Sequence, residues 1–272
     1  MEFTWLTDIH LNFLKLNARK KFYTIVKNHP GKIVLISGDI AEATCLIALL
    51  KEMSLEIQKP IYFVLGNHDY YRGSILKVRS EIFDLKENEK FLNYLPFCEP
   101  VVLENSLVLV GEDGWADGRY GDYFASQVSL NDSYLISDLF QKKLISRAAL
   151  LEKMQALADV DAKKLQEKID DSVQKYQPKK VIVLTHVPPF REACLYNGEI
   201  SGDDYLPYFA SKAMGDVLMD LARANPAISF LVLSGHSHSQ AFSKPLSNLE
   251  VRVGGAEYSA PELQIPTSSL VF

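Results

Sequence analysis

The chain has 272 residues, 47% of them hydrophobic, and a formal net charge of -5. That length allows one large domain or two small ones around a sizeable core. An acidic balance without a long basic run does not suggest nonspecific nucleic-acid binding through phosphate neutralisation, although it leaves room for a local basic patch.

Phe3–Leu6 is a short apolar run that predicts a first strand, ending in Thr7-Asp8-Ile9-His10. Side chains alternate along extended backbone, so Asp8 and His10 share a side if the strand continues through them. Ala18–Asn28 has helical spacing through Phe22, Ile25 and Val26, and His29-Pro30-Gly31 stops it. Lys32–Ser37 predicts a second buried strand ending in Gly38-Asp39, followed by a helix over Ile40–Met53. Asp39 is then either a site residue at a strand end or a helix cap. Pro60–Leu65 predicts a third buried strand, which delivers Gly66-Asn67-His68-Asp69. An amide, an imidazole and a carboxylate at the C-terminal edge of a buried strand sit where open α/β sheets place their sites.

Ser74–Lys90 predicts an amphipathic helix, and Val101–Glu104 and Leu107–Val110 predict strands. From Glu112 to Gln177 the rhythm changes. Asp113–Tyr123 is rich in glycine, aromatic and charged residues, a composition often found in functional loops. Ser146 predicts the cap of one helix through Ala158, and Asp161 the cap of a second through Tyr176. Lys180–Thr185 is a strand delivering His186, and 191–211 reads as a second long loop. Ala213–Arg223 predicts a helix. Ile228–Leu233 predicts a strand ending in Ser234-Gly235-His236-Ser237-His238, with terminal strands at Val251–Val253 and Ser269–Phe272.

Cys45, Cys98 and Cys194 are widely spaced and form no paired motif, which predicts a reducing compartment rather than a disulfide framework. No apolar run is long enough to span a membrane, and no basic leader precedes the first strand. The expectation is a soluble, cytoplasmic protein with no membrane partner; oligomeric state is not legible.

Five of the six histidines, His10, His68, His186, His236 and His238, fall just after predicted strands, together with Asp8, Asp39 and Asn67. Oxygen and imidazole ligands without thiolates suit a divalent ion such as Mn, Fe, Zn, Co or Ni. The set is too large for one tetrahedral zinc with an open position. Two divalent metal ions bridged by one carboxylate, about 3.5–4 Å apart, fit better.

Asp8-x-His10, Gly38-Asp39, Gly66-Asn67-His68-Asp69, His186 and Gly235-His236-x-His238 resemble, in order, the five signature blocks of the calcineurin-like metallophosphoesterase family. The resemblance implies a four-layer α/β/β/α sandwich, two central mixed β-sheets flanked by helices. It implies that Asp8, His10 and His238 hold one metal, that Asn67, His186 and His236 hold the other, and that Asp39 bridges them. His68 resembles the family's outer-shell histidine, near the leaving oxygen. Glu42 follows Asp39 by one helical turn, where related phosphatases place a carboxylate that orients this histidine. The implied activity is hydrolysis of a small phosphodiester or phosphomonoester, nucleotides included, by a hydroxide shared between the metals.

The sequence departs from the Ser/Thr protein phosphatases, which carry an arginine soon after the bridging aspartate and a glutamate where Asp69 stands. It also lacks the tyrosine ligand of purple acid phosphatases. Bacterial-type single-domain phosphoesterases are the remaining resemblance, which makes 1–272 one catalytic domain. The segment at about 112–178 is expected to form a helical and loop lid, with Trp115, Arg119 and Tyr120 contacting substrate. Packing of Trp115 and Tyr120 against the sheets is the alternative. A non-catalytic protein-binding scaffold on the same fold and a nuclease are the competing functions; nucleic acid is not an expected partner.

Overall fold

The computed structural model describes residues 2–86, 89–104 and 106–264. Strands β1 (Phe3–Leu6), β2 (Ile33–Ser37), β3 (Ile61–Val64) and β4 (Leu92–Tyr94) form one sheet in that order, parallel throughout. Helices α1 (Leu16–Asn28), α2 (Ala43–Ile57) and α3 (Ile75–Lys86) fall in its crossovers. The second sheet is mixed. It contains β5 (Val101–Glu104), β6 (Leu107–Gly111), β7 (Lys180–Leu184), β10 (Ser229–Ser234), β11 (Ala241–Leu246) and β12 (Leu249–Val253), ordered β11-β12-β10-β7-β6-β5. Between β6 and β7 lie α4 (Asp132–Leu135), α5 (Ser137–Lys143) and α6 (Arg147–Tyr176). Between β7 and β10 lie a small hairpin, β8 (Leu195–Tyr196) and β9 (Glu199–Ile200), then α7 (Leu206–Phe209) and α8 (Lys212–Ala224).

Strand alternation sorts the apolar residues into layers. Trp5, Leu35 and Val64 of the first sheet meet Leu109, Leu184 and Leu233 of the second in one core cluster. Their neighbours Leu6, Ile36 and Phe63 turn outward to Phe22, Leu50 and Val78 on α1, α2 and α3. Val110, Val183 and Val232 turn the other way, to Leu165 and Ile169 on α6 and Leu218 on α8. The result is the α/β/β/α order of layers. Among the described residues no helix is long and apolar enough to cross a membrane.

Several boundaries differ from the sequence expectation. The helix expected from Ile40 starts at Ala43, because the Ile40 and Ala41 N–H groups both donate to Asp69 Oδ1 at 2.8 Å. Asp39 therefore caps no helix. The two helices expected on either side of Asp161 are one helix of 30 residues. Asp161 sits inside α6, buried, where it accepts Gly114 N–H at 3.1 Å and pairs with Arg79 at 3.4 Å. β4 and β11 come from stretches given no strand from the sequence, and the β8–β9 hairpin from the stretch read as a second long loop. The strand expected at Ser269–Phe272 lies outside the described residues.

Candidate metal centre

The signature residues leave the C-terminal ends of β1, β2, β3, β7 and β10 and meet at one place. Asp8, His10, Asp39, His236 and His238 all have left-handed backbone, with φ between 39° and 70°. Asp and His tolerate that region better than most residues, yet it still costs of order 1–2 kcal/mol each. The tight turns let each side chain double back over its strand end. Two glycines leave the necessary room. A Cβ on Gly66 would collide with Asp39 Oδ1, and one on Gly235 with Asp8 Oδ2.

Two groups of ligand-type atoms result. Asp8, His10, Asp39 and His238 present atoms that all lie within 4.8 Å of one another. His238 Nε2 is 3.3 Å from both Asp8 Oδ1 and His10 Nε2. In the second group, Asn67 Oδ1 is 3.0 Å from His186 Nε2 and 3.0 Å from His236 Nδ1. Asp39 faces both. Its Oδ1 is 3.3 Å from His186 Nε2, and its Oδ2 is 3.9 Å from His10 Nε2.

The second group is built for a cation. His186 Nδ1 lies 2.9 Å from the Ser37 carbonyl and His236 Nε2 lies 2.9 Å from the Tyr208 carbonyl. A carbonyl only accepts, so each of these nitrogens carries the proton. Burial lowers both imidazole pKa values, that of His236 to about 4, so each ring is neutral and holds a single N–H. Their other nitrogens are lone pairs pointing at Asn67 Oδ1. The Asn67 amide is itself oriented, since its Nδ2 donates to Asp132 Oδ1 at 2.8 Å and to the Tyr71 hydroxyl at 3.2 Å. Two lone-pair nitrogens each facing the Asn67 oxygen at 3.0 Å repel it unless a cation lies among them. Asp39 adds a fourth acceptor. Burial first, then the Asp8 and Asp69 charges, push its carboxyl well above the ordinary range, so it needs a proton or a metal beside it. Imidazole, carboxylate and amide oxygen together suit a borderline divalent ion.

His68 lies beside both groups. Its backbone N–H donates to Asp39 Oδ1 at 2.9 Å, and its Nε2 is 3.9 Å from Asp39 Oδ2. Tyr71 stacks on the ring at 4.2 Å between centroids, and His10 meets it edge-on at 4.6 Å. Burial, helped by His236, lowers the His68 pKa to about 4, so the ring is neutral at pH 7 and has one N–H to donate. Next to this residue opens a cleft of about 970 Å³. Asp39, Asn67, His68, His236 and His238 line its metal-centre end. The rest is lined by 130–132, by most of 195–209 and by Tyr258.

Four residues expected at the site are elsewhere. Glu42 is not among the groups around His68; its carboxylate takes Arg72 Nε at 2.8 Å. Trp115 is buried in the core against Tyr70, with ring centroids 5.2 Å apart. The Arg119 guanidinium is neutralised by Asp117 at 2.9 Å and Asp159 at 2.8 Å. Tyr120 packs on the small cluster of Cys194, Leu206 and Ala210. None of the four lines the cleft.

Three aspartates that sequence reasoning left without a role position the site. Asp69 joins the turns after β2 and β3, because its carboxylate takes the Ile40, Ala41 and Gly66 N–H groups. Asp113 joins β3 to β7. Its carboxylate accepts Leu65 N–H, the Tyr70 and Tyr94 hydroxyls and Arg79, while its carbonyl accepts His186 N–H at 2.7 Å. Asp132 accepts from Asn67 and, at 2.6 Å, from the Tyr71 hydroxyl. Only Asp69 carried a signal, its place in the Gly66–Asp69 block.

The family model for calcineurin-like phosphoesterases matches residues 1–240. Similar solved structures include a phosphopantetheinyl hydrolase from Mycobacterium tuberculosis, with a TM-score of 0.64 at 13% identity, covering 98% of this chain and 97% of that one. A dimetal phosphatase from Danio rerio gives a TM-score of 0.58 at 12% identity, covering 95% of this chain and 88% of that one. The protein TT1561 of Thermus thermophilus gives 0.53 at 13% identity, with 96% of each chain covered. At these identities the likeness is one of fold. No curated protein matches the sequence.

Proposed function

The chain belongs to the calcineurin-like phosphoesterase family, metal-dependent hydrolases of phosphate esters, and on that premise we propose that it hydrolyses a small phosphate ester at a centre of two divalent ions. One observation carries the number two: the Asp39 carboxylate turns one oxygen to each group of ligands. Asp8, His10 and His238 would hold one ion, Asn67, His186 and His236 the other, and Asp39 both. When bound, such ions supply a nucleophilic water of lowered pKa and neutralise phosphoryl oxygens. The protein's own part is to fix the ligands and exclude misoriented substrate. The Ser37 and Tyr208 carbonyls set the His186 and His236 tautomers, and Asp132 holds the Asn67 oxygen toward them. His68, neutral and partly exposed, donates its N–H to the leaving oxygen.

Residues 1–272 act as one catalytic unit. Within 112–178, the part that serves the cleft is Leu130–Asp132, while α6 packs as a layer helix on the second sheet. The described lining of the cleft contains no lysine or arginine, which disfavours a nuclease.

The test is metal-stripped protein titrated with Mn, Fe, Zn, Co or Ni, with elemental analysis and turnover of chromogenic phosphomonoesters and phosphodiesters. Two ions per chain, both required for turnover, is the expected result. Turnover independent of metal overturns the proposal. Two bound ions with no turnover of any ester would favour the scaffold.

A further inference from the structure

The charge of the cleft beyond the metal ligands is one-sided. Asp132, Glu199, Asp203 and Asp204 line it, and the described lining holds no cationic side chain to balance them. Asp203 has a distant partner in Arg191 at 3.8 Å, but both are exposed and such a pair offsets little. Among the described residues no ion pair forms to Glu199 or Asp204. The same wall carries aromatic rings. Tyr196 and Tyr205 are 69% and 51% exposed, so their rings are open to whatever enters the cleft.

Carboxylates beside exposed aromatic faces attract one kind of group. An ammonium gains from the ring quadrupole and from the carboxylate charge together, whereas a second anionic group is repelled by the wall. The phosphoryl group does not need this wall, because its charge is met at the metal ligands. We propose that the physiological ester carries an ammonium group, primary or quaternary, on the alcohol that occupies the cleft.

The proposal rests on the phosphoesterase reading above and deepens it to a substrate class. Hydrolysis would release the amino alcohol or its phosphate, with water added across one P–O bond and no other reactant. Nucleoside polyphosphates and nucleic acids, with several negative charges outside the scissile phosphate, are poor substrates on this reasoning.

Three p-nitrophenyl phosphodiesters separate the possibilities: one of choline, one of its neutral isostere with carbon in place of nitrogen, and one of an alcohol bearing a carboxylate. The metal-loaded protein should show kcat/KM about tenfold higher for the choline ester than for the isostere, and lowest for the carboxylate. The preference should shrink as ionic strength rises. In a Glu199→Gln, Asp204→Asn double variant the choline-to-isostere ratio should fall to about threefold or less on the same scale. That ratio is taken within one preparation, so partial misfolding cancels. Turnover of all three esters with equal kcat/KM, a preference for the carboxylate, or a ratio unmoved by the double variant overturns the substrate class while leaving the phosphoesterase standing. Absence of turnover on all three, and on simple aryl phosphates, overturns both.

Discussion

Asp132→Asn isolates the hold on Asn67. In the structure one Asp132 oxygen accepts the Asn67 Nδ2 at 2.8 Å and the Tyr71 hydroxyl at 2.6 Å. A hydrogen bond to a charged partner contributes about 1.5–3 kcal/mol, roughly twice a neutral one. An asparagine at 132 keeps one oxygen but loses the charge, and its amide can turn an N–H toward the two donors. The Asn67 amide is then free to flip. A flipped Asn67 would point its NH2 at His186 and His236, where a cation would be repelled. Loss of such an outer partner costs about 10–100-fold in metal affinity or activity. The assay is calorimetric titration of metal into stripped protein, which reads affinity without relying on turnover. Weakening of one of two binding steps by roughly that factor is expected, with kcat substantially recovered at saturating metal. Tyr71→Phe removes one donor and leaves Asn67 held, so its metal affinity should change much less. Affinities of Asp132→Asn within twofold of the parent protein, on this about 10–100-fold scale, would refute the reasoning.

Asp39→Asn and His236→Ala should both lose metal and turnover, because each removes a charge or lone pair that faces the ligand groups; elemental analysis finding two ions with full activity in either variant contradicts the assignment. His68→Ala should keep its metals and slow esters with poor leaving groups more than activated aryl esters, since only the former need help at the leaving oxygen; equal losses on both would remove that role. Trp115→Ala should destabilise the fold by about 3–5 kcal/mol, as a buried core aromatic does, without raising KM for the folded fraction. Arg119→Ala should change kcat/KM on no substrate, and a KM effect confined to a bulky ester would return Arg119 to the cleft.

The five site-bearing strand ends were legible because each block places polar residues directly after a short apolar run. That pattern is local, and the parallel order of strands brings the blocks to one edge. Glu42 was misplaced for a physical reason. Its expected role assumed a helix running from Ile40, but Asp69 takes the N–H groups of Ile40 and Ala41 and holds the chain out of the helix. Asp69 is 29 residues away from Ile40 in sequence, and no local periodicity reports that contact. Trp115 shows a different limit. An aromatic in a glycine-rich loop has the same composition whether it faces a cleft or the core, and here Tyr70 behind the Asn67 turn supplies the core partner. Asp161 looked like a helix cap because it is polar amid a helical pattern. It is instead the buried counter-charge to Arg79, reached across 82 residues of sequence.

The three positioning aspartates explain how five strained residues stay where they are. Left-handed backbone at Asp8, His10, Asp39, His236 and His238 is unfavourable at each position, and the chain would relax if the turns were independent. They are not independent. Asp8 Oδ1 and Oδ2 accept the His236 N–H at 3.1 Å, tying the turn after β1 to the turn after β10. Asp69 ties the turns after β2 and β3, Asp113 ties β3 to β7, and the His10 N–H donates to the Asp39 carbonyl at 3.0 Å. The ties form a connected chain that runs across both sheets. Relaxing any one turn therefore breaks hydrogen bonds to a buried carboxylate in another, which opposes release of the strain. The turns that carry the candidate ligands are thus fixed to one another through the fold. On the proposed function, selectivity for the ester would fall to residues outside this chain of ties, on the β8–β9 hairpin and the segment after it, where exposed backbone can vary without disturbing the ligands.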